Sequence, residues 1–219
     1  MKKYVAVTGN IGVGKSTLVT LLCEKLAWQP FYEPVTENPY LADFYHDMRA
    51  WAFHSQIFFL TQRMRAHRQL VDHPTSVIQD RTVYEDAEIF AKNLYLQGLI
   101  NERDYSAYWE LYSVLREFLP PPDLVVYLRA EVQVLLGRIV HRGRDYERQI
   151  TQEYLSQLNG LYEEWIANFN LCPVLTVPAG DLDYVAQTSH LDLIIEKIQE
   201  KLTGKEEVVF EKLAEGGWK

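Results

Sequence analysis

The chain has 219 residues, a formal net charge of −8 and a sequence pI of about 5.3. Hydrophobic residues make up 47% of it, enough to bury the core of one large domain. The acidic balance argues against binding to a nucleic-acid polymer, which requires clustered Lys and Arg. The sequence also lacks the run of about 18 apolar residues that a membrane span needs. Cys23 and Cys172 have no neighbours at metal-binding spacing, so we expect a cytoplasmic protein with reduced thiols.

Short apolar segments alternate with longer helical ones along the chain. This alternation predicts an α/β fold, with a five-stranded parallel sheet and helices on both faces. Residues 1–203 are expected to form one domain. The charged tail, 204–219, is expected either to be loose or to pack against a partner subunit. In chain order, strands are predicted at 4–7, 31–33, 76–79, 124–128 and 173–177, and helices at 16–26, 50–71, 84–96, 103–118, 132–141, 151–169 and 184–202.

The turn after the first strand carries a phosphate-binding motif. Residues 9–16 match G-x-x-x-x-G-K-[ST] and lie between a predicted strand and a predicted helix, as the motif requires. Glycines let successive backbone N–H groups point at phosphate oxygens, while Lys15 reaches the β- and γ-phosphates and Ser16 ligates Mg²⁺. The motif predicts a P-loop NTPase-type fold that binds ATP with Mg²⁺. The residues assigned to ATP are Gly9, Asn10, Gly12, Val13, Gly14, Lys15, Ser16 and Thr17.

Several classes of P-loop protein are disfavoured by what the sequence lacks. It has neither the Asn-Lys-x-Asp element of a GTPase nor the glycine-rich signature of a transporter ATPase. A kinase for a small acceptor needs a base, and Glu33 follows the second predicted strand at the edge where ligands bind. Asp80-Arg81 ends the third strand at the same edge and could hold Mg²⁺ and neutralise the transferring phosphoryl group. The alternatives are an ordinary exposed glutamate and a surface ion pair.

A dense basic cluster indicates a lid. Arg138 and Arg142 share one helix face, and Gly143 then ends the helix before Arg144. In an acidic protein such a cluster is typical of a segment that closes over phosphates and excludes water. The alternative is a solvated helix face balanced by nearby carboxylates. The predicted lid covers about 138–148, including His141, Asp145, Glu147 and Arg148.

A second group of side chains has the chemistry to bind a nucleobase. Gln56, Phe59 and Arg63 recur at i, i+3 and i+7 along one face of the long predicted helix. Asp86 and Phe90 are four residues apart on a later helix. An amide, an Arg–Asp pair and a phenyl ring can grip the edge of a base and stack on its face. Taken singly, each is more often a core or surface residue.

The order of these motifs resembles the deoxyribonucleoside kinase family over roughly residues 1–200. Gly-Asn-Ile-Gly-x-Gly-Lys-Ser-Thr is followed by Glu-Pro, Trp-x₄-Gln-x₆-Arg, Asp-Arg-Thr-x-Tyr-x-Asp and Arg-x₃-Arg-Gly-Arg. The resemblance implies a homodimer that transfers the γ-phosphate to a deoxynucleoside 5′-hydroxyl. By this resemblance Glu33 would be the general base, Arg81 its electrostatic partner and Asp80, with Ser16, the Mg²⁺ site. Arg138, Arg142 and Arg144 would form the lid, Gln56 would read the base edge, Phe90 would stack on the base, and Tyr45 with Glu147 would bind the sugar 3′-hydroxyl.

The resemblance also bears on which base is accepted. Members that prefer thymidine carry uncharged residues where this chain has Arg63 and Asp86, and the segment Glu37-Asn38-Pro39-Tyr40-Leu41 is similar to the bacterial purine-preferring branch. It implies a deoxyadenosine or deoxyguanosine kinase, with deoxycytidine as a second substrate. One departure is Phe59, which is bulkier than the residue at this place in deoxycytidine-preferring members.

Two alternatives are open at this point. A nucleoside monophosphate kinase of the thymidylate kinase type shares the sheet and the P-loop, but a carboxylate such as Glu33 suits a neutral hydroxyl acceptor better than a phosphate. A non-catalytic nucleotide-binding protein would need neither base, metal ligand nor lid.

Overall fold

Parallel strands form the centre of the protein. The computed structural model describes residues 2–32, 38–147, 149–206, 208–213 and 217–219, with Tyr146 described for its backbone only. In these residues five strands form one sheet in the order β2-β3-β1-β4-β5, with every pairing parallel. This confirms the predicted α/β sheet. The strands are β1 Tyr4–Gly9, β2 Gln29–Phe31, β3 Val77–Asp80, β4 Leu124–Arg129 and β5 Val174–Pro178.

The register of the sheet brings the ends of its central strands together. Val7 of β1 lies beside Asp80 of β3 and beside Val126 of β4. β1 is buried along its whole length, as expected of a parallel strand covered on both faces. The residues that follow β1 and β3 therefore emerge side by side at the carboxyl edge of the sheet.

Helices cover both faces of this sheet. A helix with a wide, π-helical turn runs through α4, residues Asp86–Ala91 and α5 without a break. Within the described part of the chain, no helix combines the length and apolarity needed to cross a membrane. The helices are α1 Lys15–Leu26, α2 Leu41–His46, α3 Met48–Asp72, α4 Val83–Glu85, α5 Lys92–Leu96, α6 Glu102–Arg116, α7 Val132–Arg142, α8 Gln152–Asn168 and α9 Thr188–Leu202, with a 3₁₀ turn at Asp145–Glu147.

Strand β2 and helix α9 differ from their predicted bounds, and one short helix was not predicted. β2 ends at Phe31 instead of continuing to residue 33, and Glu33 itself lies outside the described residues. α9 begins at Thr188 rather than at Tyr184, because the Tyr184 side chain is buried against the phosphate-binding turn. α2 was not predicted, since six residues are too few to show a helical period.

Two large apolar clusters lie on opposite faces of the sheet. One joins the strands to α1, α7 and α9, and the other joins α3, the π-helical turn, α6 and α8. Phe210 and Trp218 of the tail pack against the first cluster. Lys212 and Trp218 form an antiparallel bridge, and the backbone groups of Glu211 and Lys219 exchange two 2.9 Å hydrogen bonds. The described part of the tail thus contacts the core of its own chain.

Candidate active site

The turn between β1 and α1 is the predicted phosphate cradle. Gly14 caps α1 in a left-handed conformation, and no side chain of the described residues caps the helix start. The first backbone N–H groups of α1 therefore point toward the cleft, where an anion could accept from them. Lys15 Nζ donates to the carbonyl oxygens of Gly9 at 2.8 Å and Asn10 at 3.0 Å, which folds its ammonium group back over the turn.

Two residues of the motif, Asn10 and Val13, face the protein rather than the cleft. Val13 is buried in the main apolar cluster, and the Asn10 amide donates to the carbonyl of Leu155 at 3.0 Å. Gly12 has a φ of 82°, and a Cβ there would lie 2.7 Å from Cγ1 of Ile139. The turn thus needs glycine both for its backbone angle and for its close approach to α7.

Ser16 and Asp80 place two oxygen ligands beside this cradle. The Ser16 hydroxyl donates to Oδ2 of Asp80 at 2.5 Å, and Asp80 is buried at the end of β3. In the described residues no group of three or more His, Cys, Asp or Glu side chains could hold a metal. A hydroxyl and a single carboxylate fit Mg²⁺, which prefers oxygen ligands and completes its shell with water and substrate phosphates.

Arg81 follows β3 in a strained conformation. Its φ is 66°, in the left-handed region that non-glycine residues rarely occupy. Its guanidinium lies 4.3 Å from the centre of the Phe90 ring, and Nη1 donates to the Tyr162 hydroxyl at 3.4 Å. Arg81 is buried but lines the cleft. Phe90, predicted to stack on a base, lines the same cleft and packs against this arginine.

The far end of the cleft carries the predicted base-binding groups. Gln56 and Phe59 of α3 and Asp86 of the π-helical turn line it, while Arg63 is buried against Asp86. Arg63 Nε donates to Oδ2 of Asp86 at 2.9 Å, and its Nη1 donates to the Asp80 carbonyl at 3.2 Å. Oε1 of Gln56 is buried and has no hydrogen-bond partner among the described residues. The cleft therefore ends in a buried carboxylate and a buried amide oxygen that is ready to accept a hydrogen bond.

Lid residues and the predicted sugar-binding pair meet between these two ends. Glu147, in the 3₁₀ turn, is buried and lines the cleft together with Tyr45. Arg142 binds the Glu147 carboxylate through Nε at 3.0 Å and Nη2 at 2.7 Å, and Arg144 Nη1 approaches it to 3.5 Å. One carboxylate is thus shared by two of the three predicted lid arginines. Arg148, also assigned to the lid, lies outside the described residues.

Arg138 has a different position from the other two lid arginines. Its Nη1 donates to the Val13 carbonyl and its Nη2 to the Ala179 carbonyl, both at 2.7 Å. It lines a second cleft behind the cradle, together with Gly14 and Thr17. That cleft is closed by residues 180–185, which sequence reasoning missed because the segment shows no recognisable motif.

Further cleft residues were also missed. Leu41 and Phe44 of α2 line the main cleft beside Tyr45, and Tyr32 and Tyr154 line it as well. Burial raises the pKa of Tyr154 to about 12, with nearby Arg81 opposing the shift. Leu41 and Phe44 were missed because their six-residue helix is too short to show a helical period. Together with the residues named above they line a cleft of about 200 Å³ that is partly open to solvent.

Comparisons with known proteins find relatives over nearly the whole chain. Residues 5–203 match the family model described as deoxynucleoside kinase. The chain is 37% identical over 196 residues to deoxyadenosine/deoxycytidine kinase of Bacillus subtilis, covering 89% of this chain and 90% of that one. It is 31% identical over 201 residues to deoxyguanosine kinase of the same organism, covering 90% and 96%. Its fold is similar to deoxyadenosine kinase from M. mycoides with bound dATP, at a TM-score of 0.79 and 33% identity over 90% of this chain and 99% of the other.

Proposed function

The chain belongs to the deoxynucleoside kinase family, and from this premise we propose ATP as its phosphate donor and the 5′-hydroxyl of a purine deoxynucleoside as its acceptor. It is a kinase that phosphorylates deoxynucleosides. One observation carries the proposal: a single cleft joins phosphate-binding groups at one end to base-binding groups at the other. Lys15, Ser16 and Arg81 line the first end, and Gln56 and Asp86 line the second.

We assign the chemical step to Glu33 together with side chains that line this cleft. Glu33 takes the proton from the 5′-hydroxyl as it attacks, a role supported by the cleft position of the preceding residue, Tyr32. Arg81 and Lys15 stabilise the charge on the transferring phosphoryl group. Arg142 and Arg144 close over that group, and Tyr45 with Glu147 holds the sugar 3′-hydroxyl. These positions orient the acceptor and exclude water from the reacting atoms.

Ser16 and Asp80 would hold Mg²⁺. Their hydrogen-bonded oxygens lie beside the cradle, which is where the phosphates of ATP would bind. When bound, the ion would neutralise negative charge on the β- and γ-phosphate oxygens. The nucleoside part of ATP would enter the second cleft, since Arg138 and residues 180–185 enclose space directly behind Gly12 and Gly14.

The polar groups at the base end favour a base with an exocyclic amino group. The Gln56 amide can pair with adenine through one donor and one acceptor, and the Asp86 carboxylate can only accept. Adenine and cytosine offer an amino group at this edge, whereas thymine offers a carbonyl oxygen. We therefore rank deoxyadenosine first, with deoxyguanosine and deoxycytidine as further substrates. Structures of deoxyadenosine kinase from M. mycoides with bound dATP and with bound dCTP support the acceptance of adenine and cytosine.

We further propose a cytoplasmic homodimer. One face of α6 and the residues after it exposes apolar side chains at i, i+3 and i+7, namely Leu111, Val114 and Phe118, the last 76% exposed. Such a stripe is a suitable contact for a second copy of the chain. Both cysteines are free thiols, as the reducing cytoplasm maintains. Sedimentation of the protein before and after Val114→Lys tests the dimer.

An acceptor panel tests the function. ADP release is measured with Mg-ATP and deoxyadenosine, deoxyguanosine, deoxycytidine, thymidine or thymidine monophosphate. The fastest turnover is expected with deoxyadenosine and the slowest among the nucleosides with thymidine. Turnover with the monophosphate alone would contradict the assignment of Glu33, because a carboxylate at the reacting centre repels an acceptor phosphate. Fastest turnover with thymidine would contradict the base assignment.

A further inference from the structure

A buried carboxylate lies beneath the phosphate cradle and has no role in the function described so far. Glu85 is completely buried at the end of α4. Its Oε2 accepts from the backbone N–H of Thr82 at 2.8 Å and from the Thr82 hydroxyl at 3.3 Å, which forms a capping box for α4. Its Oε1 accepts from the backbone N–H of Gly9 at 3.4 Å and from the Tyr162 hydroxyl at 2.8 Å. Glu85 thus connects the cradle, the Asp80-Arg81 turn and α8.

The Tyr162 hydroxyl relays this contact to Arg81. A tyrosine hydroxyl has one proton to donate, and a carboxylate can only accept. The proton therefore points to Glu85, and a lone pair of the hydroxyl oxygen is left to accept from Arg81 Nη1, which lies at 3.4 Å. Burial, and secondarily the Glu85 charge, raises the pKa of Tyr162 well above its usual value. The hydroxyl consequently stays protonated and keeps this direction of hydrogen bonding across the neutral pH range.

Arg81 depends on such contacts for its orientation. Its backbone is held in the left-handed region, with φ 66°, by the hydrogen bond from its N–H to the Val7 carbonyl at 3.0 Å. The side chain leaves this strained position with several rotatable bonds to fix. The Phe90 ring restrains the guanidinium by stacking at 4.3 Å, and the hydrogen bond from Nη1 to the Tyr162 hydroxyl adds a directional constraint on the guanidinium plane.

We propose that Glu85 and Tyr162 form a positioning pair that aims the Arg81 guanidinium at the transferring phosphoryl group. The proposal rests on the role of Arg81 given above. Neither Glu85 nor Tyr162 lines the cleft, so both act through Arg81 rather than on the substrates. A purely structural role for Glu85, as the cap of α4, is separated from this one by changing Tyr162, which leaves the capping box intact.

The test is Tyr162→Phe, with Tyr127→Phe as the matched control. The Tyr162 and Tyr127 rings stack with their centres 5.9 Å apart, and the Tyr127 hydroxyl donates to Glu163 at 3.0 Å. Each substitution therefore removes one hydroxyl that donates to a carboxylate. Tyr162→Phe is expected to lower kcat about tenfold, the effect of one weakened charge-assisted hydrogen bond in the transition state. KM for ATP and for the nucleoside should stay within about twofold, because the cleft walls are unchanged. Tyr127→Phe should leave kcat unchanged.

A double-mutant cycle with Arg81→Ala makes the result decisive. If Tyr162 acts through Arg81, Tyr162→Phe lowers kcat in the native background and has no further effect in the Arg81→Ala background. An equal loss in both backgrounds, or an equal loss in Tyr127→Phe, overturns the proposal. Near-normal kcat in Arg81→Ala alone would instead remove the role assigned to Arg81. If Arg81→Ala loses kcat and Tyr162→Phe keeps full kcat, the role of Arg81 at the phosphoryl group is retained and only the positioning pair is overturned. Glu85→Gln provides a second variant, and its kcat should fall with that of Tyr162→Phe.

Discussion

The buried ion pair between Arg63 and Asp86 allows a sharp prediction about both stability and specificity. The two side chains are 2% and 4% exposed and their atoms lie 2.9 Å apart. Asp86→Ala leaves the Arg63 charge buried without this carboxylate, and breaking a buried pair in this way costs about 3–5 kcal/mol. Arg63 retains its 3.2 Å hydrogen bond to the Asp80 carbonyl, which favours the lower end of that range.

The double variant Arg63→Met/Asp86→Ala should recover most of this loss. Removing both charges replaces the pair with apolar groups, and such replacements are often neutral or stabilising. A loss of about 3 kcal/mol lowers Tm by roughly 6–12 °C in a domain of this size. Asp86→Ala should therefore melt well below the native protein, and the double variant should melt above Asp86→Ala.

Urea denaturation and the acceptor panel measure the two effects on the same preparations. The matched control is Lys92→Met/Glu164→Ala, which removes an exposed pair at 3.2 Å and should cost less than about 1 kcal/mol. In the double variant at the cleft, preference should move toward thymidine, because the carboxylate that accepts from an amino group is gone. A double variant as unstable as the sum of its single variants would refute the energetic reasoning. An unchanged order of acceptors would show that this pair does not set base choice.

Two further predictions concern the reacting centre and the cradle. Glu33→Gln should keep nucleoside binding and lower turnover by roughly 10² or more, and near-normal turnover would remove Glu33 as the base. Gly12→Ala should abolish ATP binding in calorimetry, because its φ is 82° and its new Cβ would lie 2.7 Å from Ile139 Cγ1. The control Gly137→Ala, where nothing lies within 4 Å of a new Cβ, should bind ATP normally, and normal binding by Gly12→Ala would contradict this account.

Much of the fold could be predicted because its signals are local. The apolar strands β1 and β4 and the glycine turn between β1 and α1 are short, contiguous patterns, and the structure confirms the sheet that they imply. The start of α9 was predicted wrongly because the contact that decides it is not local. The apolar ring of Tyr184 suits a helix, but its hydroxyl lies 3.4 Å from the Gly14 carbonyl, 170 residues away in sequence. Nothing in the neighbouring residues encodes a contact of that range.

The sequence identified many residues of the candidate site but not the partners that they contact. The sequence placed Arg138 in a phosphate lid with Arg142, since the two share a helix face. In the structure Arg138 donates hydrogen bonds to two backbone carbonyls, whereas Arg142 donates to the Glu147 carboxylate. Partners of this kind depend on how the loops fold over one another, and a helical period does not contain that information. The role of Glu33 stays a prediction.

The π-helical turn at Asp86–Ala91 has a consequence for engineering. A wide turn inserts the equivalent of one extra residue, which rotates everything after it by about 100° relative to a continuous α-helix. Glu85 can therefore face the cradle while Asp86 and Phe90 face the cleft. Leu94, after the wide turn, is still buried. A helical wheel drawn through 83–96 misplaces one half of this helix against the other. Exchanging Asp86 or Phe90 with the residues of another enzyme thus requires that both chains carry this wide turn, because a regular helix would rotate these side chains relative to the residues on the other side of the turn.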